Sequence, residues 1–451
     1  MSATVAVRRS PLLRLVPGDA LLRNGALLTL ASVATSVLGA GYWSLAGLRY
    51  DVATVGRNYS AISMMMFLAG VSQLNLADVL VRFTPSAGRN TRRLIGLAYL
   101  TGIGTSLVTS TAFVLLAPWV SPGLSFLHAP MLGTVFVAAT VSYAVFVLQD
   151  GALTGLRRPG WVLAENALFS AAKLVAVLLI SLALVPFGIL ISWELALGVS
   201  LVFTNSYLFG VAVPRREREL RQADPGVPAT AGVVRYTGLT YVGGLFWLAV
   251  STLPQVLILN TLGARDSAYF SISWVIVTML YVVSTNMGSS LVVESAGNPG
   301  RLGPAVRTVL RSTGALLLAA VLALELLAPL VLRLFGPDYP AHATTLLRLL
   351  ALSALPNLVT ATALASFRVR QRLWLFVLVY GGLCGGVFGT CALLVPQLGL
   401  AGMGLAWLCS QVAVAGALLM FRSAWLPKAS EPEPADGGER ELATTGEGTQ
   451  R

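Results

Sequence analysis

Twelve apolar stretches, each near the length a helix needs to cross a bilayer, follow one another through this chain with only short connectors between them. With 56% of its residues hydrophobic and 11% charged, a chain of 451 residues has too few polar side chains to clothe a soluble globule. Inside hydrocarbon every backbone N–H and C=O must find its partner within the fold, which leaves helices or a closed barrel. Runs such as 97–117 and 314–332 are helix-length and do not alternate, so the fold class expected is an all-α polytopic membrane protein with about twelve transmembrane helices. The spans fall over 25–47, 59–81, 94–116, 131–150, 161–184 and 189–212, then 236–259, 268–293, 312–332, 344–366, 374–395 and 401–421.

The formal charge of +12 would suggest a nucleic-acid partner in a soluble protein, but its distribution points to lipid instead. Taking the N-terminus as cytoplasmic, 25 of the 31 Lys and Arg fall in alternate connectors and the two ends, with four in the opposite connectors and two, Lys173 and Arg348, within spans. The expected location is a plasma membrane with both termini cytoplasmic, and no nucleic acid among the partners. The basic start before Gly25 resembles a signal-peptide n-region, yet the apolar run behind it is long and first in a series, so it is read as a retained helix.

The polar segment 214–235 divides six helices from six. The expected organisation is a cytoplasmic segment 1–24, a lobe 25–213, a cytoplasmic linker 214–235, a second lobe 236–424, and a tail 425–451 too poor in apolar residues to order. The halves look like copies at an offset of 210 to 211 residues. Tyr59-Ser60-Ala61-Ile62-Ser63 is echoed by Tyr269-Phe270-Ser271-Ile272-Ser273, Ala152-Leu153 by Ala363-Leu364, and Gly188 by Gly399. Six helices per copy make the repeat parallel, with a cavity expected between the lobes.

No metal site or catalytic centre is expected. Cys384, Cys391 and Cys409 lack ligand spacing, and His128 and His342 stand singly in connectors. Tyr42-Trp43, Trp119 and Trp425 are read as interfacial belts, and Pro254, Pro329 and Pro356-Asn357 as bends in their helices.

Three groups of residues carry a resemblance to a known family. They are Asn24-Gly25 with Val55-Gly56; Leu74, Asp78, Val81-Arg82-Phe83 and Pro85; and Gln149 to Arg158 with Trp161, Glu165-Asn166 and Lys173-Leu174. In these the chain resembles the polysaccharide or lipid-linked oligosaccharide flippases of the multidrug/oligosaccharidyl-lipid/polysaccharide exporter superfamily. The resemblance implies a V-shaped pair of six-helix lobes that opens alternately to each side and carries a polyprenyl-linked sugar unit outward.

Such cargo is anionic, and the task needs cationic or hydrogen-bonding groups around a wet cavity. The substrate-binding candidates are Lys173, halfway along its helix, Asn166 two turns before it, Glu165 beside that face, and Arg348. Asp78, Glu194 and Glu325 are the ion-coupling candidates, for a proton or sodium ion, with no other cofactor. Partners are the bilayer, the lipid-linked glycan and polysaccharide-assembly enzymes. The competing readings are a drug/cation antiporter or peptidoglycan-precursor flippase on the same scaffold, a non-transporting scaffold for a polymerase, and a membrane-embedded polymerase or ligase. The last lacks its expected long loop and cluster of Asp, His and Arg.

Overall fold

A computed structural model of the chain describes residues 35, 37–183, 185–219, 230–295, 302–370 and 372–426. The N-terminal segment, the start of the first span, the middle of the linker and the tail beyond 426 lie outside the described residues. Among those described, all regular structure is helical.

The first lobe holds α1 (37–49), α2 (Val52–Ser72), α3 (Leu76–Phe83), α4 (Thr91–Val120), α5 (Pro130–Gly155), α6 (Pro159–Leu182), α7 (Gly188–Tyr207) and α8 (Val213–Glu219). The second holds α9 (Thr230–Thr261), α10 (Ala264–Ser295), α11 (Leu302–Arg333), α12 (Tyr339–Leu352), α13 (Ala354–Val369) and α14 (Leu373–Met420). Among the described residues nine helical stretches, one of them α12 and α13 taken together, are long and apolar enough to cross a membrane, and the bent pair α2 and α3 makes a tenth. At 48 residues, roughly 70 Å, α14 is too long for one crossing of a ~30 Å core. It folds back at Gly399, whose φ of 57° and ψ of −134° suit glycine alone. Its two arms bring the described crossings to eleven; of the first expected span only residue 35 and α1 are described, and its start lies outside the described residues.

Several breaks differ from the expected spans. The second crossing bends by 52° between α2 and α3, where Leu74 and Asn75 take φ of 50° and 58°. Asn tolerates this region but Leu does so rarely, and no glycine or proline marks the place. The tenth crossing breaks at Ser353, one turn before Pro356, because proline cannot bond back to the carbonyl four residues earlier. Pro254 and Pro329, by contrast, lie inside continuous helices. Both ends of the expected linker are helical, in α8 and the first turns of α9. The aromatic belts also need correction. Tyr42, Trp43 and Trp425 are buried, and only Trp119 is exposed as a belt residue would be.

Each lobe repeats one neighbour pattern. In the first, α4 packs on α5, α5 on α2 and α3, and α6 on α7; in the second, α11 packs on α12, and α12 and α13 on α10. The two arms of α14 pair as α6 and α7 do, with Cys391 Sγ 3.1 Å from Met403 Sδ and Thr390 Oγ1 donating to the Ala406 carbonyl at 3.4 Å. Among the described residues, the connector after α3 and the basic helix α8 meet at one end of the bundle, called here the basic face, where Arg216 reaches the Pro85 carbonyl at 2.9 Å.

How the core is divided says how the lobes meet. One large cluster of buried apolar side chains runs through both lobes and includes Tyr42, Val55, Leu124, Val256, Ala268 and Phe335. Toward the basic face it gives way to two separate clusters, one around Leu80, Ile95 and Leu148 of the first lobe, the other around Leu291, Val306 and Phe367 of the second. The lobes are thus fused over the half away from the basic face. The seam there is tight: Gly56 meets the backbone of Ala264 and Ala268, and Gly47 that of Phe335. Ser60 and Ser267 share a hydrogen bond of 2.8 Å, and Asn260 Oδ1 accepts from Gly123 N–H at 2.8 Å. Toward the basic face, the side-chain bonds joining the lobes among the described residues include those from the end of α2 to α9, Tyr241 Oη to the Val71 carbonyl and Asn75 Nδ2 to Thr240 Oγ1.

Candidate functional site

Between the lobes, midway along the helices, lies a cavity of about 280 Å³. Thr35, Gly39 and Trp43 of α1 and Asn166, Phe169, Ser170 and Lys173 of α6 line it from the first lobe; Val275, Thr278 and Met279 of α10 close it from the second. Asn166, Ser170 and Lys173 share a face because they are spaced at three and four residues, the period of a helix. Among the described lining residues Lys173 is the sole ionisable group.

Lys173 is only 8% exposed. Its Nζ lies 5.0 Å from the ring centre of Phe169, 5.2 Å from that of Trp193 and 5.4 Å from that of Tyr42. Tyr42 is itself fixed by bonds from its hydroxyl to the Ile189 carbonyl at 3.0 Å and with Ser192 Oγ at 2.9 Å. No carboxylate pairs with Lys173 among the described residues. Three ring contacts worth about 0.5 to 2 kcal/mol each only partly offset the several kcal/mol that burying an ammonium costs. The balance favours an anion arriving from the cavity. Asn166 and Ser170 add hydrogen-bonding groups to the lining, and Trp43 adds a flat apolar surface.

The other residues singled out from sequence are dispersed. Glu165 does not line the cavity. It is fully buried inside the first lobe, with neither carboxylate oxygen bonded to any described residue. Its backbone carbonyl accepts from Ser200 at 3.5 Å, while Asn166 turns the other way and reaches Asp150 Oδ1 at 3.4 Å. Asp150 of α5, part of the Gln149 to Arg158 group but not a site candidate from sequence, thereby joins the polar layer beneath the cavity. Gln149 Oε1 and Thr204 Oγ1, in that part of the lobe, are also buried and unbonded among the described residues. Among the described residues this layer holds more acceptor oxygens than donors to meet them.

Arg348 lies away from the cavity, on α12. Its Nε donates to the Glu325 carbonyl at 3.0 Å and stands 3.8 Å from the Glu325 carboxylate, so these two candidates, assigned to substrate and to ion, form one half-exposed pair. Glu194 accepts from Ser142 at 2.9 Å. Asp78 is exposed in the first turn of α3. His128 is exposed, and His342 stacks on Tyr269 at 4.9 Å.

No family model and no curated protein matches the chain. Solved structures do. One, described as the inward-facing conformation of a multidrug resistance MATE family transporter of the MOP superfamily, is 15% identical, with a TM-score of 0.63 over 87% of this chain and 94% of that one. The outward-facing conformation of such a transporter gives 16% and 0.62, over 92% and 97%. A third, a MOP superfamily transporter from Pyrococcus furiosus Vc1 described by a binding pocket of reverse polarity that suggests a different function, gives 16% and 0.66, over 94% and 100%. This chain therefore has the two-lobed helical fold of the MOP superfamily transporters.

Proposed function

We propose that the protein is a flippase that moves a lipid-linked oligosaccharide or polysaccharide precursor across the plasma membrane by alternating access. The observation that carries this reading is Lys173: a buried cation, boxed by three aromatic rings and unpaired with any described carboxylate, at a cavity shared by both lobes. A site for cationic drugs needs the opposite sign, and a membrane-embedded polymerase needs converging acid-base groups that the cavity lining does not supply. The P. furiosus neighbour, described by a binding pocket of reverse polarity that suggests a different function, supports a cargo on this fold other than cationic drugs. Fusion of the lobes away from the basic face supports a conformation open to cargo from that face, and the arginine excess in alternate connectors supports reading it as the cytoplasmic side.

Deleting the gene tests the cargo. Lipid-linked glycan units should accumulate on the cytoplasmic leaflet while surface glycan falls. Sensitivity to cationic compounds without such accumulation would favour the antiporter instead.

Coupling, on this reading, resides in the acceptor-rich layer of Glu165 and Asp150 rather than at the exposed Asp78 or the Arg348–Glu325 pair. Glu165→Met, close in volume, should be neutral or stabilising by about 1 to 3 kcal/mol, since it removes a buried carboxyl that lacks partners. It should also abolish the dependence of transport on a proton or sodium gradient. Thermal melts in detergent and gradient-driven uptake into vesicles measure the two; gradient dependence that persists would place the coupling elsewhere.

A further inference from the structure

A second cavity, of about 520 Å³, lies between the two arms of α14 at their basic-face ends, remote from Lys173. Its walls are almost wholly apolar. Trp374 and Gly382 of the first arm face Ala417 and Phe421 of the second, and Trp425 closes the end. Trp425 is rigidly held, its ring nitrogen donating to the Leu418 carbonyl at 2.8 Å. Trp374 and Phe421, by contrast, are 60% and 62% exposed at the entrance, on a part of the bundle where the surroundings are bilayer. What enters from that side is hydrocarbon.

The charge at the entrance selects among hydrocarbons. Arg372 is part of the lining, and Arg368 and Arg422 stand exposed at the same end, Arg368 lying over the Phe376 ring at 4.9 Å. Guanidinium groups at the mouth of an apolar slot match the phosphate and one chain of an anionic lipid. We propose that this groove is a binding site for an anionic phospholipid of the leaflet at the basic face, one acyl chain lying between the arms of α14 and the phosphate against Arg372. The site is independent of the cargo and would hold whichever substrate the inter-lobe cavity takes.

The groove offers a clean probe, because a Cβ placed on Gly382 meets no atom within 4 Å. Gly382→Leu should fill the slot and leave the fold intact. The full chain in detergent is offered phosphatidylglycerol or phosphatidylcholine with the same acyl chains, and retained lipid is counted by native mass spectrometry. The wild type should keep one phosphatidylglycerol in preference to phosphatidylcholine by about tenfold, the order expected of one or two guanidinium groups at a headgroup. Gly382→Leu should lose that lipid with an unchanged thermal melt, and Arg372→Gln should retain a lipid without preference for its headgroup. Equal retention of the two lipids by the wild type, undiminished retention by Gly382→Leu, or displacement of the phospholipid by an equimolar prenyl phosphate would each overturn the assignment.

Discussion

Lys173→Gln should stop export of the glycan while the protein reaches the membrane in normal amount. A charge-assisted hydrogen bond to phosphate contributes about 1.5 to 3 kcal/mol, so transport should fall by roughly 10- to 150-fold if one such contact is lost. Stability should change little in the destabilising direction, because the substitution removes a buried ammonium that no described carboxylate neutralises. Quantitative blots for surface glycan, with membrane-fraction blots for the protein, separate the two effects. Lys173→Arg supplies the control. It keeps the charge but places a broad planar group among Phe169, Trp193 and Tyr42, and should therefore retain part of the activity. Wild-type export by Lys173→Gln would remove the lysine from the substrate path.

That lysine was legible in the sequence for a simple reason. An ionisable group in mid-helix of an apolar crossing must turn toward protein or water, so its position in the chain already fixes its kind of surroundings. Its ring partners were not, since Tyr42 and Trp193 come from other helices and only packing brings them within 5.4 Å of the ammonium. Tyr42 and Trp43 were instead read as a belt because they lie near a helix end, where depth in the membrane and depth in the protein cannot be told apart.

Glu165 shows a second limit. Grouping it with Asn166 and Lys173 treats chain neighbours as neighbours in space, yet successive residues on a helix point about 100° apart. Asn166 and Lys173, seven residues apart, share the cavity face; Glu165 turns into the lobe. Asp150 carries the resemblance as part of Gln149 to Arg158 but is not a site candidate from sequence, because it lies near the end of its crossing, where a carboxylate ordinarily reaches water. The succession of crossings, by contrast, follows from run length, which reports on the bilayer itself. The bend at Leu74 and Asn75 left no such mark, as it rests on tertiary bonds including that from Asn75 to Thr240.

The seam at Gly56 carries the second large prediction. The lobes fuse away from the basic face because a residue without a side chain lets α2 lie against the backbone of α10; a Cβ here would collide with the Ala264 carbonyl and stand 2.9 Å from Ala268 N. Gly56→Leu should push the lobes apart on that side. Overpacking of this kind costs about 1 to 3 kcal/mol, charged here only to the conformation with the seam closed, which shifts the balance between conformations roughly 5- to 150-fold. The proposed cycle needs both conformations, so transport should fall with the loss of the closed seam. The shift is measured with a cysteine in place of Ser121, which is 1% exposed beside Asn260, in a chain whose Cys384, Cys391 and Cys409 are replaced by alanine. A membrane-impermeant thiol reagent added from the side away from the basic face should label it faster in Gly56→Leu. Gly104→Leu, at a site where a Cβ meets nothing within 4 Å, should leave labelling and transport unchanged. Unaltered labelling in Gly56→Leu would mean that the seam does not open, and a carrier of alternating access could not then be built on this hinge.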